Sequence, residues 1–192
     1  MRIPVHEVHA ALVHAPLTLM PAAMAVDLVA AATDNEGLNK LGRALMPMAT
    51  ASMAVAAVTG LAAQNAVHAE GRAHDTLVTH RTLNATLLGL GVALSAARMR
   101  SEKPGAFYLL AGLAGLGVMG YSAYLGSKMV YEYGVGVGAG VGYDEARSPA
   151  IGQDPLSEVA RASVADVVDA VADAAKETAR GDLVPELGNK GD

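Results

Sequence analysis

Six histidines occur in the 192-residue chain, and His6, His9 and His14 stand just ahead of its first long apolar run. His74 and His80 stand ahead of a later one. A neutral imidazole offers a nitrogen lone pair to iron, copper or zinc, and helical bundles hold such groups with side chains that meet at one height on facing helices. The two runs are expected to cross a membrane in the same direction. Counted back from their far ends, His14 precedes Thr33 by 19 residues and His80 precedes Ala97 by 17. At about 1.5 Å per residue the two rings differ in height by ~3 Å. His14 and His80 are therefore the expected axial pair of a b-type haem, six-coordinate and suited to electron transfer rather than oxygen chemistry. His9 and His74 form a second, outer level. His9, His14, His74 and His80 are together the candidate metal ligands for copper or zinc, whose sites usually want three or four donors. The competing reading has no cofactor at all, with the amphipathic rings half-solvated at the membrane interface.

Other residues could also do chemistry. Asp27 is an ionisable group inside the first run, where charge is costly, so a proton relay or cation site is one reading. The other is a carboxyl paired with Arg43 or kept neutral by burial. Met20, Met24, Met46, Met48 and Met53 invite a copper reading, with Met46 and Met48 two residues apart. Core packing is the better account of such flexible side chains. Pro16, Pro21 and Pro47 are expected to bend the first two spans near their ends. The chain has no cysteine. That excludes disulfides, iron–sulfur ligation and covalent c-type haem attachment.

The elements that must position these residues follow from composition. Hydrophobic residues make up 52% of the chain and charged residues 17%, against about 25% charge in an ordinary soluble domain. The mean hydropathy is +0.31. The acids crowd into the C-terminal quarter, so the remainder is more apolar than the average and reads as a membrane domain with a polar tail. The net charge of −5 comes largely from that tail. No basic, aromatic-interleaved patch points to nucleic acid.

A bilayer core of about 30 Å needs roughly 20 apolar residues as helix. Four segments meet or approach this, at residues 10–33, 44–63, 80–97 and 105–130. Their many small residues, as in "GLAGLGVMG" of the fourth, allow close helix packing in lipid. No basic cluster precedes the first run, so it is expected to be a retained anchor rather than a cleaved signal. Lys and Arg bias orientation: Arg98, Arg100 and Lys103 in one loop, and Lys40 and Arg43 in another, place those loops in the cytoplasm and both termini outside. The expected fold is all-α. A four-helix transmembrane bundle over residues 1–133 precedes a glycine-rich linker over 134–153 and a soluble acidic amphipathic helix and tail over 154–192. "GVGVGAGVG" lacks the strand and helix context of a nucleotide loop and reads as linker. Asp154 and Pro155 make a helix start. Leu156, Val159, Val164, Val167, Val168 and Val171 then form an apolar stripe suited to docking on a partner protein or on the bundle itself.

Three stretches carry a family likeness: "HAALVHAPLTLMPAAMAVDL", "HRTLNATLLGLGVAL" and "GSKMVYEYGVGV". The sequence resembles the bacterial membrane domains catalogued as domain of unknown function 2231 over roughly residues 6–137. It departs from their pattern at Ala10, where proline follows the first histidine, and the acidic tail lies outside the family. The resemblance implies a four-helix membrane domain, often beside cytochrome-like modules, with haem binding expected and His9, His14 and His80 as the positions carried over.

The expected protein is thus a multi-pass inner-membrane protein holding haem b near its outer face. It would be an electron-transfer or accessory subunit rather than a stand-alone enzyme. Its partners would be the lipid bilayer and other membrane or extracytoplasmic redox proteins, met through the C-terminal helix. The alternatives are a non-catalytic structural or assembly subunit of a larger membrane complex, and a copper- or zinc-binding membrane protein.

Overall fold

The computed structural model describes residues 3–64, 67, 69–136, 150–151, 156–181 and 183–185. The protein is all-α. Its helices are α1 (Val5–Leu12), α2 (His14–Thr33), α3 (Glu36–Gln64), α4 (Arg72–Arg100), α5 (Ala106–Tyr131) and α6 (Leu156–Arg180). Two short segments, β1 (Ile3–Pro4) and β2 (Ala150–Ile151), pair antiparallel, Ile3 opposite Ile151.

Local chemistry sets the boundaries. Pro16 has no N–H to give the carbonyl four residues back, so the helical ladder is interrupted at Val13 and α1 gives way to α2. Asp34 takes the left-handed conformation at φ 54° and returns its N–H to the Ala30 carbonyl, closing α2. Asn35 then starts α3, its Oδ1 accepting from the Leu38 N–H at 3.0 Å. Glu36 and Lys40 pair along the first turn at 2.7 Å. These caps explain why α3 begins at Glu36 rather than near residue 44. Apolar windows mark the membrane-buried part of a helix, and capping carries the helix further. α4 likewise begins at Arg72, with Gly71 at φ +54° in the turn before it.

Among the described residues, three stretches are long and apolar enough to cross a membrane: Glu7–Thr33, Glu36–Gln64 and Ala106–Tyr131. α4, the expected third span, has the length, since its 29 residues cover about 43 Å. Its first three turns hold Arg72, His74, Asp75, His80 and Arg81, which lower its average hydropathy.

The chain divides into two compact units. The first comprises Met1–Ala11, Ala57–Thr82 and Ser122–Asp192, the second Leu12–Ala56 and Leu83–Tyr121. In the second unit, Met20, Ala23 and Met24 of α2 pack with Met46, Ala49 and Met53 of α3, Leu87 and Leu94 of α4, and Tyr108 and Met119 of α5. Gly112 of α5 admits Met24, whose sulfur would lie 2.4 Å from a Cβ there. The outer faces carry Val29, Val55, Val92, Phe107 and Leu110 exposed. An apolar exterior around a packed core is the arrangement lipid solvates and water does not.

In the first unit, α6 lies against the chain itself. Val167 packs on Ala62, and Ala170 is fully buried. Val164, Val168 and Val171 are exposed, so the buried face is rotated from the centre of the expected valine stripe. The side chains of Leu156 and Val159 lie outside the described residues. On the exposed side, Lys176 Nζ sits 2.9 Å from Asp173 Oδ1. That hydrogen bond, and then the ammonium's charge, hold the Asp173 carboxyl below the usual carboxylate range.

Candidate functional site

His80 is the best-fixed imidazole. It stands half-buried on α4, with Nδ1 at 2.9 Å from the Ser122 carbonyl oxygen and 3.1 Å from Ser122 Oγ on α5. A carbonyl oxygen only accepts, so the proton sits on Nδ1 and the neutral ring carries its lone pair on Nε2. Metal-ligating histidines are held in this way, with one ring N–H given to a carbonyl so that the other nitrogen's orientation and basicity are set. One turn beyond Ser122, Gly126 lies beside the ring, where a Cβ would make an ordinary contact with His80 Cε1 at 3.4 Å.

His9, on α1, meets a hydroxyl of α3, which can donate to the ring or accept from it. Its Nδ1 lies 3.3 Å from Thr59 Oγ1. A Cβ on the neighbouring Gly60 would come within 2.8 Å of His9 Cε1, so only glycine accommodates the ring as it lies. His9 and His80 belong to one unit. His14 lies in the other unit, its ring exposed and its carbonyl accepting from Thr18 Oγ1 at 2.9 Å. His74, half exposed, directs Nε2 to Glu177 Oε1 of α6 at 3.4 Å. Glu177 also accepts from Arg81, whose Nη1 reaches Gln64 Oε1 at 3.1 Å. His6 is in α1 with its side chain outside the described residues, as is His68.

The donor set of neutral imidazoles fits haem iron, copper or zinc. Among the described residues no three His, Asp or Glu side chains cluster closely enough to hold an ion.

Asp27 has a different partner from the one expected. Its Oδ1 accepts from Arg98 Nε at 2.9 Å and its Oδ2 from Tyr108 OH at 2.6 Å, both charged side chains fully buried. Arg98 completes its donors on the Asn39 carbonyl and Oδ1 and on the Ser101 and Glu102 carbonyls. Arg43 instead donates to the Met99 carbonyl. The reason is register: Arg98 continues the Leu87, Gly91, Leu94 stripe at helical spacing, and Asp27 continues Met20 and Met24. The result joins α2, α3, α4 and α5 through one residue each, a structural clamp with its hydrogen bonds made rather than a relay. The methionines follow the same periodicity: Met20, Met24, Met46 and Met53 pack in the core, whereas Met48, two residues on from Met46, is exposed.

Residues 5–139 match the family described as "Predicted membrane protein (DUF2231)". The chain belongs to this family. The match takes in α1 to α5, with His9, His14, His74 and His80, the glycines at 60 and 126, and the Asp27–Arg98 clamp. It stops short of α6, so the DUF2231 region ends before the helix that places Glu177 on Arg81. No curated protein and no solved structure matches the chain.

Proposed function

We propose that this membrane protein crosses the bacterial inner membrane four times, with α4 as its third span and both termini outside. Near the outer face it holds a b-type haem with His80 as one axial ligand. The second imidazole comes from the N-terminal histidines, His14 being level with His80 by helix spacing. The observation that carries this reading is the Nδ1–H bond from His80 to the Ser122 carbonyl. It orients the ring and leaves the Nε2 lone pair as the donor near the polar start of α4. For α4 as a span, the support is that Leu87 and Leu94 share the second unit's core and Val92 faces outward.

Held by two imidazoles, such a group would supply electron transfer between a membrane donor and an extracytoplasmic acceptor. A copper or zinc ion on the same imidazoles is the alternative cofactor. The exposed Val164, Val168 and Val171 of α6 favour a second reading. In it the protein is an accessory subunit of a larger membrane complex, and that face meets a redox partner. The reduced-minus-oxidised visible spectrum of the purified chain tests the first reading. A Soret band with a sharp reduced α-band is expected; their absence after haem supplementation contradicts haem binding.

A further inference from the structure

We propose that the end of α3 and the start of α4 form a binding site for a carboxylate group, built from Gln64, His74 and Arg81. In this chain α6 closes the site, with Glu177 as its tethered and displaceable occupant. Such a site requires neither haem nor a particular number of membrane crossings. All four residues belong to one compact unit. Arg81 Nη1 donates to Gln64 Oε1 at 3.1 Å, so a neutral group on α3 orients the guanidinium. Its Nη2 donates to Glu177 Oε2, and His74 Nε2 faces Glu177 Oε1 at 3.4 Å. The guanidinium thus takes one carboxylate oxygen and the imidazole the other. A planar guanidinium held in place is suited to a carboxylate, whose geometry its donors match. Only 13% of the Arg81 side chain and 16% of the Glu177 side chain are exposed, so solvent screens the pair less than it screens a surface ion pair.

Receptor and occupant come from different parts of the chain. Gln64, His74 and Arg81 lie within the family match at residues 5–139, and Glu177 lies beyond it. α6 is fastened at two places. Just ahead of it, β2 at Ala150–Ile151 pairs with β1, and Glu177 stands near its far end. The apolar seat between them is slight. Ala170 is buried and Val167 packs on Ala62, while Val164, Val168 and Val171 are exposed. An alanine and part of a valine bury little apolar area, and a lone helix is marginal in water. The carboxylate is therefore the latch. A helix rooted at one end and latched at the other by one ionic group opens when a second carboxylate takes that group's place. Its tether keeps it near enough to close again when the competitor leaves.

The test uses the full chain in detergent as wild type, Glu177→Ala, Glu177→Gln, and Glu177→Ala combined with Arg81→Gln. Acetate is the probe, titrated against chloride at equal ionic strength. The readouts are thermal melting and hydrogen exchange in α4 and α6, with exchange in α2 reporting the rest of the fold. In Glu177→Ala the missing carboxylate leaves room beside Arg81. Acetate should there raise the melting temperature saturably, in the millimolar range expected of so small a ligand, and slow exchange in the first turns of α4. Chloride should do neither, and adding Arg81→Gln should abolish the acetate effect. In the wild type, acetate should speed exchange in the C-terminal half of α6 and leave α2 protected. Glu177→Gln weakens the latch without leaving a cavity, so its α6 should open at lower acetate than in the wild type; this comparison decides if Glu177→Ala fails to fold. An acetate effect that chloride reproduces, or that survives Arg81→Gln, overturns the site and leaves Arg81 and Glu177 a structural ion pair only. Indifference to acetate in both single variants does the same. Acetate bound by Glu177→Ala, with wild-type α6 unmoved at saturation, upholds the site and overturns displacement.

Discussion

Asp27 and Arg98 put two opposite charges where neither touches solvent. Removing one partner leaves the other charged and buried, which typically costs about 3–5 kcal/mol. Asp27→Asn should therefore lower the unfolding free energy by roughly that amount. Asp27→Leu combined with Arg98→Met should cost less than either single change, as measured by chemical unfolding in detergent. A double variant at least as unstable as the singles would contradict the clamp. Gly42 gives a second reading of the same cluster. A Cβ there would lie only 1.9 Å from Asp27 Oδ1, so Gly42→Ala must push the carboxylate off Arg98, at about 1–3 kcal/mol for overpacking. An unchanged melt would show the clamp to be slack. The sequence marks Asp27 and His80 as unusual because each is ionisable within an apolar run. Their partners were harder to read. Arg98 sits beside a basic loop and resembles part of it until its place in the Leu87–Leu94 stripe is counted. The group that orients His80 is a backbone carbonyl, which no side-chain pattern discloses.

At the scale of elements, the apolar runs made α2 to α5 legible, because each run is about as long as a bilayer-crossing helix needs to be. Their polar extensions were not, since Asn35 and Gly71 act through capping and turn geometry outside the hydrophobic windows. α6 was legible as a helix from Asp154, Pro155 and its valines. Its buried face was not, because an alanine, Ala170, and an ion pair decide it rather than the bulkier valines. Arg81 and Glu177 are mostly buried, with 13% and 16% of their side-chain surfaces exposed. Stranding either should cost about 1–3 kcal/mol. Glu177→Ala should thus reduce hydrogen-exchange protection along α6 while leaving α2 protected; equal loss in both would make α6 part of one global unit. Truncation after Ser148 removes α6 altogether. It should preserve membrane insertion, since each span satisfies its own backbone, and lower the melting temperature by uncovering Ala62. Unchanged melting with lost partners would instead assign α6 to docking.

The whole molecule is a DUF2231 membrane domain with a helix of its own packed on it, and its orientation fixes which compartment the histidines serve. Four crossings put the C-terminus on the same side as the N-terminus. A reporter active only in the cytoplasm, fused after Asp192, should therefore stay silent. A strong signal would mean that α4, with its charged first turns, does not cross, or that the basic loops lie outside. The central claim is that this domain carries a ligand centre on His80. The most direct measurement is the haem stoichiometry of the purified full chain beside that of His80→Ala. The account predicts close to one haem per chain, low-spin, and loss of that signal in the variant with membrane insertion and elution unchanged. A His80→Ala protein that keeps one low-spin haem would contradict it.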